Sequence, residues 1–188
     1  MKTKQININL PDWVQNLDWE SATRYPSAEK KMQLVIELAQ KNIHKQTGGP
    51  FAAAVFDEEQ GRLIALGVNM VTTLGYSFAH AEIMAITQAQ AILRNYNLSG
   101  PGMPSCVLVS STEPCAMCLG AIPWSGIKTL ICGAKDEDAR AVGFDEGSKR
   151  EDWVHELEKR GIRVIQEILR SEAAKVLLDY TLRGGIVY

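Results

Sequence analysis

Three scarcities narrow what this chain can be. Histidine occurs only 3 times and cysteine only 4 times in 188 residues. Four cysteines are too few for the dense disulfide framework of small secreted domains, and a reducing compartment would keep them as thiols. Basic charge is not in excess, since 20 Lys and Arg face 22 Asp and Glu for a net charge of −2. A chain that neutralises many phosphates needs the opposite balance, so nucleic acid is a disfavoured partner. The basic pair late in the chain, Lys149-Arg150, is followed at once by Glu151-Asp152 and reads as a solvated surface run.

No apolar run is long enough to span a bilayer. The first ten residues, MKTKQININL, lack the apolar centre of a signal peptide. The expected location is therefore the cytoplasm, with no membrane partner. Internal repeats and low-complexity linkers are missing too. What remains is an ordinary globular balance, 46% hydrophobic and 22% charged, over a length that one domain fills. Residues 1–188 read as a single domain. Residues 1–26, with Pro11, Trp13 and Trp19, form an arm that wraps its surface.

Ser27 is placed to cap a helix. Glu29 lies in its first turn, and Met32, Val35, Ile36, Leu38, Ala39 and Ile43 form its apolar stripe. Thr47-Gly48-Gly49-Pro50 ends it. Residues 51–56 and 63–68 read as paired strands about a turn. Further along, helices are predicted over 79–93, 115–123, 153–159 and 172–182. The stripe of the first is Ile83, Ala85, Ile86, Ala89 and Ile92. Strands are predicted over 107–110, 129–132 and 164–168. A hairpin followed by alternating helices and strands predicts an α/β fold, a three-layer α/β/α sandwich around a mixed five-stranded sheet. In such sheets ligands gather at strand ends and helix starts.

Pro114-Cys115-Ala116-Met117-Cys118 lies at one of those starts. Proline suits a helix entrance, where no backbone donor is needed. Cys115 and Cys118 then share one helix face and can clamp one metal ion. The helix N-terminus favours the thiolate that zinc requires. Taken alone, C-x-x-C could equally be a redox pair or half of a structural zinc site. Cys106, Cys132, His44 and His155 are the spare ligands, and none is paired at ligand spacing. Cys106 and Cys132 sit in apolar strand runs and read as inert core thiols.

The other half is upstream, in His80-Ala81-Glu82-Ile83-Met84-Ala85-Ile86. Together the strings read H-x-E … P-C-x-x-C, the signature of zinc-dependent base deaminases. The chemistry explains the residue types. His80, Cys115 and Cys118 supply three ligands and leave a fourth position for water or hydroxide. Zinc brings the pKa of that water towards neutrality. Glu82, close by but off the metal, moves its proton.

With these strings the chain resembles the cytidine-deaminase-like superfamily, and within it the bacterial guanine deaminases. The likeness runs from about Gly48 to Tyr188 and rests on GGPFAAAVF, SFAHAEIMAI, STEPCAMCLGAIPWSGI and GFDEG. It implies one zinc per chain and hydrolysis of guanine to xanthine and ammonia, a step of purine catabolism. It also implies a homodimer. By the same resemblance Asn69 bonds the purine edge, Phe51 and Ala81 lie against the base, and Glu146 accepts the exocyclic amine and adjoining ring N–H. Glu146 also relays a second proton, so it joins Glu82 as a catalytic residue. Asp145 substitutes if the register is off by one. Residues 183–188 form a C-terminal lid ending in Tyr188, with Gly184 and Gly185 letting it swing.

Plainer readings stand beside these: a core residue for Phe51, a turn residue for Asn69, a solvated acid for Glu146 and a frayed end for Tyr188. Trp124 packs beside the zinc helix or lines the pocket. The competing functions are a tRNA adenosine deaminase and a deaminase of another free base or aminated triazine, such as cytosine or ammeline. A non-catalytic zinc module is the remote third.

Overall fold

The computed structural model describes residue 3, residues 6–17 and residues 23–188. Trp19 lies outside them. The elements run α1 (Asp12–Gln15), α2 (Ala28–His44), β1 (Ala52–Asp57), β2 (Leu63–Val68), α3 (Val71–Leu74), α4 (Ala81–Leu93), β3 (Cys106–Thr112), α5 (Ala116–Ser125), β4 (Thr129–Ala134), α6 (Asp136–Ala141), α7 (Trp153–Glu158), β5 (Arg163–Ile165) and α8 (Arg170–Leu182).

The five strands form one mixed sheet in the order β2-β1-β3-β4-β5. β1 is antiparallel to both β2 and β3. β3, β4 and β5 are parallel. Side chains alternate across this sheet. Ala52, Ala54, Phe56, Val107 and Val109 join α2 and α8 in one core cluster. Ala53, Val55, Leu108, Leu130 and Cys132 join α4 and α7 in the other. Helices therefore cover both faces, which makes the three-layer sandwich expected from the sequence. β1, β3 and β4 are buried along their whole length, as sheets covered on both faces require.

Ser27 does cap α2, its side chain accepting from Lys30 N at 3.2 Å, an interaction worth about 1 kcal/mol. All six stripe residues of α2 are buried. In α4 Ala85, Ile86 and Ala89 of the expected stripe are buried, but its edges differ. Met84 is 1% exposed and joins the core, whereas Ile92 is 57% exposed. The helix is so rich in apolar residues that periodicity alone leaves its orientation open.

Three short helices, α1, α3 and α6, lay below sequence detection because four to six residues carry no period. α5 runs past Pro123 to Ser125 and ends at Gly126, whose φ is 85°. Proline removes one donor but does not stop a last turn that glycine closes. β5 is shorter than expected because Glu167 and Leu169 adopt positive φ and turn the chain. The arm docks where it is described. Val14 is buried, and Trp13 Nε1 donates to Thr47 Oγ1 at 2.9 Å. Among the described residues, no helix is long and apolar enough to cross a membrane.

Register places the site. Ala52 lies opposite Val68, Ala53 opposite Ser110, and Thr112 opposite Ala134. The start of β1 and the ends of β2, β3 and β4 thus share one edge of the sheet. Phe51, Asn69, Glu113 and Lys135 follow or precede those strands and are gathered there. Gly67 settles the fourth component. A Cβ on it would stand 2.1 Å from the Ala81 carbonyl oxygen and 2.4 Å from Ala85 N. Only glycine lets α4 lie this close to β2, and the start of α4 carries His80 and Glu82.

Candidate active site

His80 is the N-cap residue of α4 and Cys115 the N-cap residue of α5. Both sit where helix N–H groups converge, and such an end favours negative charge. The imidazole, Cys115 Sγ and Cys118 Sγ place one ligand atom each within 4.8 Å of one another. Cys115 Sγ and His80 Nδ1 are 3.5 Å apart. No other such cluster of His, Cys, Asp and Glu occurs among the described residues. His44 and His155 take no part, and Cys106 and Cys132 are fully buried in the core.

Electrostatics separate the two cysteines. Its interaction with Cys118, with His80 beside it, holds the Cys115 thiol down at about 4. The same pairing, together with burial, raises Cys118. Burial pushes the Cys106 thiol up to about 11. A ready thiolate, an imidazole and a second thiol around one point suit zinc, with space left for a fourth ligand.

Glu82 is 6% exposed. Ser110 Oγ donates to its Oε1 at 3.3 Å, and Cys118 Sγ lies 3.5 Å from its Oε2. Burial, then the Cys115 charge, raises its carboxyl above the usual range. For His80 burial acts first and downwards, but the Cys115 and Glu82 partners outweigh it and raise the imidazole.

A cavity of about 290 Å³ opens beside this cluster. His80, Cys115 and Glu82 line one side, and Asn69, Glu146 and Tyr188 line the rest. Phe51 lines it too while packing on both core clusters, so wall and core readings both hold. Glu146 faces inward at 5% exposure, whereas Asp145 is exposed and its Oδ1 accepts from Gly147 N at 2.8 Å. Burial, then the nearby Cys115 and Glu82 charges, pushes Glu146 up to about 8. Tyr188 is held across the cavity by a 2.5 Å hydrogen bond to Asn69 Oδ1. It is no frayed end.

A family model, the cytidine and deoxycytidylate deaminase zinc-binding region, matches residues 26–134. The chain belongs to that family. It is a zinc-dependent aminohydrolase. The matched stretch holds His80, Glu82, Cys115 and Cys118 and ends before Glu146. The deaminase is similar to solved guanine deaminase from Nitrosomonas europaea, 42% identical over 97% of this chain and 99% of that one, with a TM-score of 0.91. It is 39% identical to guanine deaminase of Bacillus subtilis strain 168 over 118 residues, 63% of this chain and 71% of that protein. It is also 34% identical over 129 residues to a tRNA-specific adenosine deaminase of Buchnera aphidicola (subspecies Schizaphis graminum), 69% of this chain and 77% of that protein.

Ala81 is fully buried in a core cluster and is not among the residues that line the cavity. Three expectations about the deaminase need correction. Trp124 does not line this cavity; in the last turn of α5 it is 82% exposed and borders a different surface depression. Gly185 is required for close approach and not for swing, since a Cβ there would stand 2.4 Å from the Tyr180 ring. Lys149 is not solvated, its side chain being 7% exposed, although Arg150 is.

Three contributors went unread in the sequence. Phe144 stands edge-on to Phe51, with ring centroids 4.8 Å apart, and to Tyr188 at 5.7 Å. Its place inside GFDEG was the available signal. Asn42, fully buried on α2, donates to the Gly49 and Asn69 carbonyls at 2.9 Å each, and nothing local announces that. Glu113 precedes the Pro-Cys pair and also lines the cavity.

Proposed function

We propose that this deaminase hydrolyses a free nucleobase, guanine, to xanthine and ammonia. One observation carries the reading. A buried carboxylate, Glu146, and a carboxamide, Asn69, face the same cavity as Glu82, His80 and Cys115. The similarity to guanine deaminases over nearly the whole chain supports the choice of base.

In this reading His80, Cys115 and Cys118 hold one zinc per chain. When bound, zinc lowers the pKa of a water in its fourth position and so supplies the nucleophile at neutral pH. Glu146 accepts the amine and ring N–H donors of guanine, and Asn69 bonds the far edge. Phe51 and Phe144 hold the flat ring. Glu82 takes the proton lost by the attacking water at its carboxylate and passes it to a ring nitrogen, which limits charge build-up. Glu146, whose carboxyl is pushed up to about 8, relays the second proton, taking it from the newly added hydroxyl and handing it to the departing amine. Ammonia leaves, and atoms balance as guanine plus water gives xanthine plus ammonia. Tyr188 closes the cavity against bulk water.

The same reading treats residues 1–188 as one deaminase domain with an arm at 1–26 and a lid at 183–188. It makes the enzyme a cytoplasmic homodimer of purine catabolism with no nucleic-acid or membrane partner. The match to a tRNA adenosine deaminase favours the second reading, in which a flipped base of tRNA enters instead. Tyr188 across the cavity and a net charge of −2 weigh against it.

The test is ammonia release by zinc-loaded protein from guanine, guanosine, adenine, cytosine, cytidine and ammeline, with Glu82→Gln as control. Release from guanine far above the others, lost in the control, upholds the reading. Silence on every free base, with deamination of tRNA, replaces it.

A further inference from the structure

Lys149 stands three residues beyond Glu146 on the same loop, and its burial is unusual for a lysine. Its Nζ lies 2.9 Å from Asp136 Oδ1 and 3.3 Å from Glu113 Oε2. It also donates to the Pro114 carbonyl at 3.4 Å. The Trp153 ring covers it, with the centroid 5.1 Å away. An ammonium has three donors; two go to Glu113 Oε2 and the Pro114 carbonyl, and Asp136 Oδ1 faces it as an ion-pair partner. These partners come from two other segments: Glu113 and Pro114 from the turn that leads into Cys115, and Asp136 from the start of α6.

The acceptors are themselves tied. Gln166 Nε2 donates to Glu113 Oε1 at 2.6 Å, and Asp136 N donates to Glu113 Oε2 at 3.1 Å. Arg140 Nε donates to Asp136 Oδ2 at 2.5 Å, and Arg140 Nη2 donates to the Gly147 carbonyl at 2.8 Å. Ala116 N donates to the Glu146 carbonyl at 3.0 Å. A closed ring results, from Lys149 through Asp136 and Arg140 back to Gly147 on the loop that holds both Lys149 and Glu146. Glu146's own carboxylate has no hydrogen-bond partner among the described residues. No hydrogen bond at the side chain fixes it. Its place in the cavity is set through its backbone, and those ties set the backbone.

A buried ion pair is a poor way to gain stability, because desolvation offsets most of the attraction. A hydrophobic contact would hold the loop down as well. It would not hold one register against the turn before Cys115, which directional donors do.

We propose that Lys149 is a positioning residue for deamination: by clamping the Glu146 loop to the 113–115 turn, it fixes where the Glu146 carboxylate enters the cavity. The inference rests on the role given to Glu146 above.

The experiment is a double-mutant cycle on guanine, with zinc content and thermal unfolding measured for every protein. Lys149→Met should lower kcat at least tenfold at unchanged zinc content. Lys149→Arg, which keeps the charge and much of the reach, should recover part of that loss. In a Glu146→Gln background, Lys149→Met should change kcat by less than twofold, because its effect passes through Glu146. Full multiplication of the two losses would mark Lys149 as merely structural and overturn the inference. So would a Lys149→Met enzyme within twofold of the original. If Lys149→Met does not fold, Arg140→Ala opens the same ring from its half-exposed side and should show a smaller, equally non-additive loss; an unaltered Arg140→Ala enzyme would then overturn the inference. A harmless Glu146→Gln refutes the role of Glu146 itself. A damaging Glu146→Gln with a harmless Lys149→Met refutes only the clamp.

Discussion

The Tyr188 hydroxyl donates to Asn69 Oδ1 at 2.5 Å, joining positions 119 residues apart. Val71 N donates to the same oxygen at 3.3 Å. With its oxygen committed twice, the Asn69 amide has only its nitrogen left to bond a further partner. Burial, opposed by the Asn69 bond, raises the Tyr188 hydroxyl above its ordinary value, so it remains a donor throughout the working pH range.

Tyr188→Phe removes this donor and leaves the ring. Losing one buried hydrogen bond costs about 1 kcal/mol, which is roughly a fivefold rise in KM with kcat little changed. Steady-state kinetics on guanine decide it. An unaltered KM would mean the lid bond does not orient Asn69 for the substrate.

Glu82→Gln should cut ammonia release by roughly a hundredfold or more, the range of a lost acid–base group. Stability should not follow activity. The Glu82 carboxyl is raised by burial, so its ionised form disfavours the fold at neutral pH. The metal-free variant should melt at the same temperature as the original or higher. A large drop in melting temperature would make Glu82 a structural residue.

Zinc removal should abolish activity reversibly. Because the three ligands converge only in the folded chain, zinc should raise the melting temperature progressively with its concentration. Cys118→Ser should lose most of that response. A variant that retains the full zinc-dependent shift would place the metal elsewhere.

For Glu146 the pH dependence has a definite sign. Its folded-state value is raised from the ordinary 4.5 to about 8, so the folded state holds the proton more tightly than the unfolded one. In metal-free protein this group's contribution to stability is full below about 4.5 and is lost as pH rises to about 8. Glu146→Gln should therefore gain on the original across that window and keep a constant lead above it. Chemical denaturation of the metal-free pair at several pH values measures this; parallel profiles would refute it.

Gly67→Ala tests the seat of α4. The added Cβ overlaps backbone at 2.1 and 2.4 Å, which side-chain motion cannot relieve. The expected cost is about 2 kcal/mol or more, with weaker zinc binding because His80 and Glu82 move with the helix. Unfolding curves and zinc titration check both parts. A normal protein would mean α4 shifts without disturbing the site.

Some of this molecule was written locally and could be read locally. The three ligands and Glu82 lie in two short strings at helix starts, where residue type and spacing are the chemistry. The three-layer fold followed from the alternation of elements, and α2 from a cap and a clean stripe. The burial of Met84 in place of Ile92 on α4, the seat of α4 on Gly67 and the continuation of α5 past Pro123 were not legible, because they depend on what each helix packs against. Lys149 shows the limit most clearly. In sequence it stands in a run of mixed charges and reads as solvated. In the folded chain, parts of the molecule from residue 113 to residue 153 close over it. Local pattern was enough for the fold class and for the two strings that meet as the His80, Cys115, Cys118 cluster beside Glu82. Tertiary contacts alone set which carboxylates are buried and that Tyr188 bonds Asn69. Burial and hydrogen-bond geometry are properties of surfaces that meet in space, and no local pattern encodes them.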